Sequence, residues 1–225
     1  MKKDKAIMKR LFFVLLSAAC PLWGFAAEYM VNSPDGRIAV TVSDEGGFAR
    51  YEVKYDGKVF IGGSELGLVT SIGDFSRNLT LSGADRKRIA ESYDLRNIKH
   101  SHVDYSANEM TCNFEKGGSR VMSVVFRVSD RDVAFRYIVN SPKDRLCCVV
   151  KEEKTSFSLP AGTTTFLCPQ SKPMTGFAGT APSYETRYTC DGPTGENGWG
   201  FGYTFPCLFH YFLLLVLSLI HSFYR

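Results

Sequence analysis

Residues that could bind a ligand are concentrated in the segment 163–209, where aromatic residues, prolines and glycines accumulate. Glu185 supplies a carboxylate there, in the sequence YETRYT, and Trp199 and Tyr203 follow in a glycine-rich stretch. Aromatic rings either pack in a core or lie exposed as flat surfaces on which a sugar ring can stack. The aromatic residues and the carboxylate therefore suggest a carbohydrate partner.

The glycine-rich stretch 195–202, GENGWGFG, superficially has the composition of a phosphate-binding loop. Such a loop needs a strand before it and a helix N-terminus after it, and the sequence predicts neither. We interpret the stretch as a flexible turn that leads into a strand. The sequence also contains no nucleophile elbow and no Walker motif, and we identify no catalytic residue in this chain.

Two pairs of polar residues have spacings that could form sites. His100 and His102 would share one face of a strand and could share a metal ion, but no third ligand is nearby. Glu152 and Glu153 are adjacent, but a lysine flanks them on each side. That pattern is typical of a solvated strand edge rather than of an acid/base pair. We interpret both pairs as solvated surface residues.

The N-terminus has the pattern of an export signal. Basic residues precede the apolar run 11–19, and small residues follow at Gly24, Ala26 and Ala27. This order predicts a secretory signal over residues 1–26. Lipoprotein processing at Cys20 is the alternative. We therefore expect an exported protein that is periplasmic or associated with the outer membrane.

The charge of the chain argues against a nucleic-acid partner. The net charge of +4 comes from the N-terminus, because five basic residues and one acidic residue lie in the first ten positions. The rest of the chain is electrically neutral and has no basic stripe. Nucleic-acid-binding proteins carry such a stripe, so we predict no nucleic-acid partner.

The six cysteines that follow the predicted signal are irregularly spaced and include no CxxC pair. An oxidising compartment permits disulfides, but a domain of this size does not need them for stability. We therefore predict mainly buried free thiols, and neither a zinc site nor a redox site.

The elements that must position these residues are predominantly strands. Alternating apolar and polar residues, separated by turn residues, recur at intervals of about ten residues, which is typical of a large β-sandwich or barrel. Asp56-Gly57 and Gly117-Gly118 mark hairpins. The only helix candidate is 85–93, with a loop as the alternative. The predicted strands are 29–32, 37–43, 48–55, 58–61, 64–71, 108–114, 120–129, 132–139, 147–150, 155–159, 163–167, 185–189 and 200–205.

Several segments, taken in order, resemble the N-terminal domain of glycoside hydrolase family 97. They are SPDGRIAV, YEVKYDGKVFIGGSELGL, DVAFRYIV, VVKEEKTSFSLP, TFLCPQ, PSYETRYT and GYTFPCLF, and the resemblance covers residues 28–209. It implies an all-β, galactose-mutarotase-like β-super-sandwich of about a dozen antiparallel strands. It also implies that a (β/α)8 barrel and a small β domain follow in the family, whose members are exported α-glucosidases and α-galactosidases.

The same resemblance implies a role for Glu185. In the family, the active-site calcium is held mostly by barrel glutamates, and the N-terminal domain contributes one glutamate, whose position matches Glu185. Calcium favours such hard carboxylate oxygens. The expected partner is an α-linked oligosaccharide, with Trp199 and Tyr203 as its contacts. A solvated, non-ligating Glu185 is the alternative.

The sequence departs from the family pattern near its end. We expect a domain at 27–209 and an apolar tail at 210–225, either non-native through a frame change or a short anchor. The apolar core of the tail, 211–220, is about half a membrane span, and membrane contact is expected only if it is a genuine anchor. Under the first reading the chain is a truncated glycosidase whose sandwich is incomplete at its C-terminus and which is inactive alone. The alternative is a stand-alone exported carbohydrate-binding β-sandwich.

Overall fold

The computed structural model describes residues 26–96, 101–140, 147–170, 189–196, 198, 202–204, 206–211 and 214–217. These residues form a short 3-10 helix, Glu45–Gly47, and 15 strands. The strands are β1 Glu28–Asn32, β2 Ile38–Ser43, β3 Ala49–Tyr55, β4 Lys58–Leu66, β5 Leu68–Thr70, β6 Gly73–Phe75, β7 Thr80–Asp94, β8 His102–Lys116, β9 Ser119–Ser129, β10 Val133–Val139, β11 Val150–Glu153, β12 Thr164–Leu167, β13 Thr189–Pro193, β14 Cys207–His210 and β15 Leu214–Leu217.

The strands form four antiparallel sheets. Two large sheets have the strand orders β1-β2-β3-β4 and β10-β9-β8-β7. A three-stranded sheet has the order β11-β5-β6, and a fourth has the order β13-β12-β14-β15. The architecture confirms the predicted all-β fold.

The main hydrophobic core draws on both large sheets. In β2 and β3, every second residue is buried, including Val40, Val42 and Tyr51. In β8 and β9, alternate residues such as Phe114 and Phe126 are fully buried in the same cluster. The two-residue period of a strand directs these side chains to one face of each sheet. The apolar alternation of the sequence therefore produces a sandwich.

The predicted hairpin turns are present. Asp56 and Gly57 have φ values of 46° and 75°, and they join β3 to β4. Positive φ at both central residues is what the tightest hairpin turns require. Gly117 and Gly118, at 60° and 77°, join β8 to β9 in the same way. These two turns thus fix the pairing of β3 with β4 and of β8 with β9.

The predicted helix at 85–93 is wrong, because these residues belong to β7. They pair with β8 in a continuous antiparallel register from Arg86–Met110 to Asp94–His102. β7 is an edge strand, and charged side chains are common on edges because they discourage further pairing. Because of these charged residues, the segment lacks the apolar and polar alternation from which a strand is predicted.

Other predicted strands also differ from the structure. The predicted strand 64–71 is interrupted at Gly67, between β4 and β5. The predicted strand 155–159 contributes only an isolated bridge, from Ser158 to Gly62. The strand predicted at 147–150 begins at Val150 and continues to Glu153. For the strand predicted at 200–205, the described residues show only a bridge from Tyr203 to Pro169.

The six described cysteines are free thiols. Three of them, Cys112, Cys168 and Cys207, are buried as predicted, whereas Cys147 and Cys190 are exposed and depart from the prediction. Within the described part of the chain, no helix is long and apolar enough to cross a membrane. The predicted signal, apart from Ala26, lies outside the described residues, as does Cys20. The interpretation of residues 210–225 stays a prediction.

Candidate functional site

Of the three site residues predicted from the sequence, the structure describes Tyr203. Glu185 and Trp199 lie outside the described residues, and their assigned roles stay predictions. Tyr203 is half-buried and lines a groove of about 480 Å³. The groove is lined by Thr155, Ser156, Phe157, Leu159, Thr165, Leu167, Pro193, Thr194, Gly195, Glu196, Tyr203, Cys207 and Phe209.

Two elements form opposite walls of this groove. One wall is the sheet β13-β12-β14, where Thr165 pairs with Gly192 on one side and with Phe209 on the other. The other wall is the segment 154–159, which runs beside β4 because Ser156 N donates to Glu65 O at 2.9 Å. Tyr51 fixes the same segment from the main core, through a 2.9 Å hydrogen bond from its hydroxyl to Ser156 O. The groove is therefore attached to the sandwich.

Backbone hydrogen bonds hold Tyr203 in place. Gln170 N donates to Gly202 O at 2.9 Å, and Thr204 N donates to Cys168 O at 3.0 Å. Gly202 has a φ of 85°, which a glycine adopts without strain. The glycine-rich stretch predicted to be a turn thus leads into the short pairing that presents Tyr203 to the groove.

The groove can bind a ligand but has no catalytic pair among the described lining residues. Glu196 is exposed and is the only carboxylate among them. Burial raises the pKa of the Cys207 thiol, so this thiol is neutral near pH 7 and is a poor nucleophile. Glu196 was overlooked as a site residue because it was read as part of a turn. One tyrosine and one carboxylate suit a polyhydroxylated ligand.

A second and larger groove lies on the other side of Leu159. Its volume is about 890 Å³, and it is open to solvent. Its lining residues are Lys58, Val59, Gly62, Ser158, Leu159, Pro160, Gly162 and Tyr211. None of these described lining residues carries a carboxylate.

The polar pairs singled out from the sequence behave as surface groups where they are described. His102 is exposed; its Nδ1 lies 2.8 Å from Asp94 Oδ1 and its Nε2 lies 3.3 Å from Asp104 Oδ1. The hydrogen bond to Asp94 and the charge of Asp104 raise the His102 pKa. His100 lies outside the described residues, whereas Glu152 and Glu153 are exposed on β11 as predicted.

Among the described residues, no group of three or more His, Cys, Asp or Glu side chains is arranged to hold a metal ion. The expected ligand Glu185 is not among them. The described residues therefore do not form a calcium site by themselves.

One charged cluster in the structure was not predicted from the sequence. Lys87, Glu109 and Arg127 lie directly opposite one another on β7, β8 and β9. Arg127 Nη2 and Nε contact Glu109 Oε2 at 2.8 and 3.0 Å, and Lys87 Nζ contacts Glu109 Oε1 at 3.0 Å. The three residues are far apart in the sequence, so only the strand register reveals the cluster.

The side chain of Glu109 is the buried member of this cluster. Glu109 has 5% of its side chain exposed, compared with 33% for Arg127. Burial would raise the Glu109 pKa, but the interactions with Lys87 and Arg127 outweigh burial and lower it. The carboxylate is therefore charged at neutral pH and orients both cations.

Comparison with known proteins agrees with this architecture. The family model described as glycosyl-hydrolase 97 N-terminal matches residues 31–219. A probable retaining α-galactosidase from Streptomyces bingchenggensis (strain BCW-1) is 29% identical over 145 residues, which cover 64% of this chain and 22% of that protein.

Solved structures share the same fold. The crystal structure of a β-arabinopyranosidase is 44% identical, with a TM-score of 0.76, over 80% of this chain and 29% of that one. A family 97 enzyme from Pseudoalteromonas sp. strain K8, in complex with panose, shares the fold at 22% identity, with a TM-score of 0.65 and coverage of 80% and 26%. The chain thus spans less than a third of these relatives. It belongs to glycoside hydrolase family 97 and carries the N-terminal domain of such a hydrolase.

Proposed function

We propose that this domain supports an exported, calcium-dependent glycosidase that acts on α-linked glucose or galactose. A barrel carried elsewhere in the polypeptide would supply the catalytic carboxylates. The observation that carries this proposal is the groove that Tyr203 and Glu196 both line, without a second carboxylate among the described lining residues. Such a groove can hold a sugar, but hydrolysis of a glycosidic bond uses two carboxylates.

Galactose-configured substrates are the favoured class. One relative is named a retaining α-galactosidase and another a β-arabinopyranosidase. The ring of a β-L-arabinopyranoside has the configuration of an α-D-galactoside that lacks the hydroxymethyl group. One pocket geometry therefore serves both sugars, and we assign a terminal sugar of this configuration to the intact enzyme.

Within this proposal, Tyr203 and Trp199 contact the sugar, and Glu185 donates a carboxylate oxygen to calcium. Carboxylate oxygens are the ligands that calcium prefers, and a neutral glutamine at that position would weaken binding. The calcium would act beside the barrel carboxylates, so it belongs to the complete active site.

The hydrolase role is tested with nitrophenyl α-galactoside, nitrophenyl α-glucoside and nitrophenyl β-L-arabinopyranoside. We expect no turnover by the purified 225-residue chain, and turnover of at least one substrate when a family 97 barrel is supplied on the same polypeptide. Robust hydrolysis by the 225-residue chain would contradict the proposal that a barrel supplies the catalytic carboxylates.

The site residues are tested in that barrel-containing polypeptide. Glu185→Gln is expected to weaken calcium binding measured by calorimetry, and Tyr203→Ala is expected to raise KM. Val59→Ala, which alters the neighbouring groove, is the matched control and should leave both values unchanged. Calcium affinity that is the same in Glu185→Gln and in the unmodified protein would remove Glu185 from the ligand set.

Export is proposed on the N-terminal pattern alone. N-terminal sequencing of the mature protein from an expressing bacterium is expected to begin at Ala27. A mature chain that begins at a lipid-modified Cys20 would instead place the protein on a membrane surface. Retention of the N-terminal residues in the cytoplasmic fraction would contradict export.

The alternative function is a stand-alone carbohydrate-binding β-sandwich. It is favoured only if the chain itself binds oligosaccharide at micromolar concentration and loses binding in Trp199→Ala or Tyr203→Ala. Failure of the chain to bind any sugar would leave the supporting role as the better account.

A further inference from the structure

The face of the β10-β9-β8-β7 sheet that points away from the main core, here called the outer face, carries an ordered set of polar and aromatic residues. Lys87, Glu109 and Arg127 form one row across β7, β8 and β9. Further along the same strands, Glu91 lies opposite Tyr105, and Tyr93 lies opposite Val103. Every second residue of a strand points to the same face. The Glu91–Tyr105 pair and the Tyr93–Val103 pair therefore share one surface with the charged row.

The charged row presents fixed hydrogen-bond donors to solvent. Glu109 is buried and is the common acceptor for Lys87 and Arg127, whose side chains remain 63% and 33% exposed. Arg127 uses Nε and Nη2 for this contact. Its Nη1 has no acceptor within the described part of the chain. The guanidinium and the ammonium are thus oriented by a buried partner but keep unused donors.

The aromatic part of the outer face lies beyond one intervening row, formed by Ile89 and Ala107. It is still close enough for Tyr105 and Glu91 to interact electrostatically with Arg127. Tyr93 is 42% exposed, and Tyr105 is half-buried. Their positions are diagonal across the β7–β8 pair, a separation of about 7–8 Å. Neither phenol hydroxyl is hydrogen-bonded to another described residue. Burial raises the pKa of Tyr105, and the nearby Asp132 and Glu91 act in the same direction, so its hydroxyl stays protonated.

The balance of positive and negative charges on the outer face indicates which class of ligand it can bind. Lys87 and Arg127 are balanced by Glu109 and Glu91, and Asp132 near Tyr105 adds a further negative charge. A surface for phosphate or nucleic acid would need an excess of positive charge. Exposed rings beside fixed donors and acceptors, without such an excess, suit a neutral polyhydroxylated ligand with apolar ring faces.

We propose that the outer face is a second carbohydrate-binding surface, on which a neutral glycan stacks over Tyr93 and Tyr105 and hydrogen-bonds to Arg127, Lys87 and Glu91. The surface is separate from the groove of Tyr203, because it is formed by β7, β8 and β9 and shares no residue with that groove. The proposal does not depend on the proposed hydrolase function.

The test uses the full chain with Tyr203→Ala as the background, so that binding in the groove does not contribute. Maltoheptaose and the α-galactosyl oligosaccharide verbascose are the probes, and binding is measured by calorimetry. Adding Tyr93→Ala or Tyr105→Ala is expected to weaken binding by about ten-fold or more, the loss of one aromatic contact. Ile138→Ala, which removes an exposed apolar side chain from the far edge strand, is the matched control and should change the Kd by less than about two-fold.

Circular dichroism melting establishes that each variant is folded. Binding that survives in the Tyr203→Ala background and is lost with Tyr93→Ala supports the proposal, whatever the outcome in the groove. Two results would overturn it: unchanged affinity in both tyrosine variants, or no binding of either probe by the folded chain at millimolar concentration. Either result would mean that no glycan binds over these two tyrosines.

Discussion

At the scale of single residues, the buried carboxylate of Glu109 shows how one group constrains its surroundings. Its two cationic partners come from different strands, so the carboxylate joins β7, β8 and β9 on the side opposite the core. Because the carboxylate itself is buried, its ion pairs are expected to contribute more to stability than an exposed ion pair does. The interaction therefore affects both the stability of the sheet and the shape of the outer face.

Glu109→Gln is expected to lower the free energy of unfolding by about 1–3 kcal/mol at pH 7. Because the Glu109 pKa is lowered in the folded protein, its stabilising effect is complete above the unfolded-state pKa. The effect is lost as pH falls through the folded-state pKa. Urea unfolding at pH 7 and pH 3 should therefore show a difference in stability between variant and parent that is smaller at pH 3 than at pH 7.

The control for this measurement is Glu115→Gln on the same strand. Glu115 is half-buried and forms no ion pair with another described residue, so its substitution should change stability by less than about 0.5 kcal/mol. An effect of Glu109→Gln that is equal at the two pH values would mean that the ion pairs do not stabilise the fold.

At the scale of elements, the break between β4 and β5 depends on one glycine. Gly67 has a φ of 156°, and a Cβ built there would lie 2.7 Å from the Cα of Ser76. The obstruction is backbone, so a side-chain rotation cannot relieve it. Without this break, Leu68–Thr70 could not leave the first sheet and pair with β6 and β11.

Gly67→Ala is therefore expected to destabilise the protein by about 1–3 kcal/mol, the range for strained backbone. Gly63→Ala is a matched control in β4, because a Cβ at Gly63 meets no atom within 4 Å. Thermal unfolding followed by circular dichroism should show a clearly lower Tm for Gly67→Ala only. Similar Tm values for the two variants would show that the loop adjusts to the added methyl group.

The elements also show what sequence patterns can and cannot predict. Alternation and turn residues predicted β2, β3, β9 and both tight hairpins, because those signals are local. The strand character of 85–93 was missed because both faces of β7 there are polar, and only its pairing with β8 fixes its conformation. Tyr203 could be singled out as a candidate from composition, whereas the groove that it lines together with Glu196, and the arrangement of the outer face, depend on contacts between distant segments.

At the scale of the whole molecule, the sheets differ in how they are buried. The main core is built from the two large sheets and the segments next to them, and no residue of β12, β13 or β14 belongs to its buried cluster. The fourth sheet buries a smaller set, which includes Leu167, Cys168 and Cys207. Because local stability follows buried apolar contact, the two parts should open with different free energies.

Native-state hydrogen exchange is expected to resolve this difference. Amides of β2, β3, β8 and β9 should exchange only through global unfolding, with the highest protection. Amides of β12 and β14 should exchange faster, through an opening that leaves the sandwich intact. This opening would release the groove around Tyr203, so a sugar bound in the groove should slow exchange in β12 and β14 but not in β8. Uniform protection across all four sheets would show instead that the groove and the sandwich unfold as one cooperative unit.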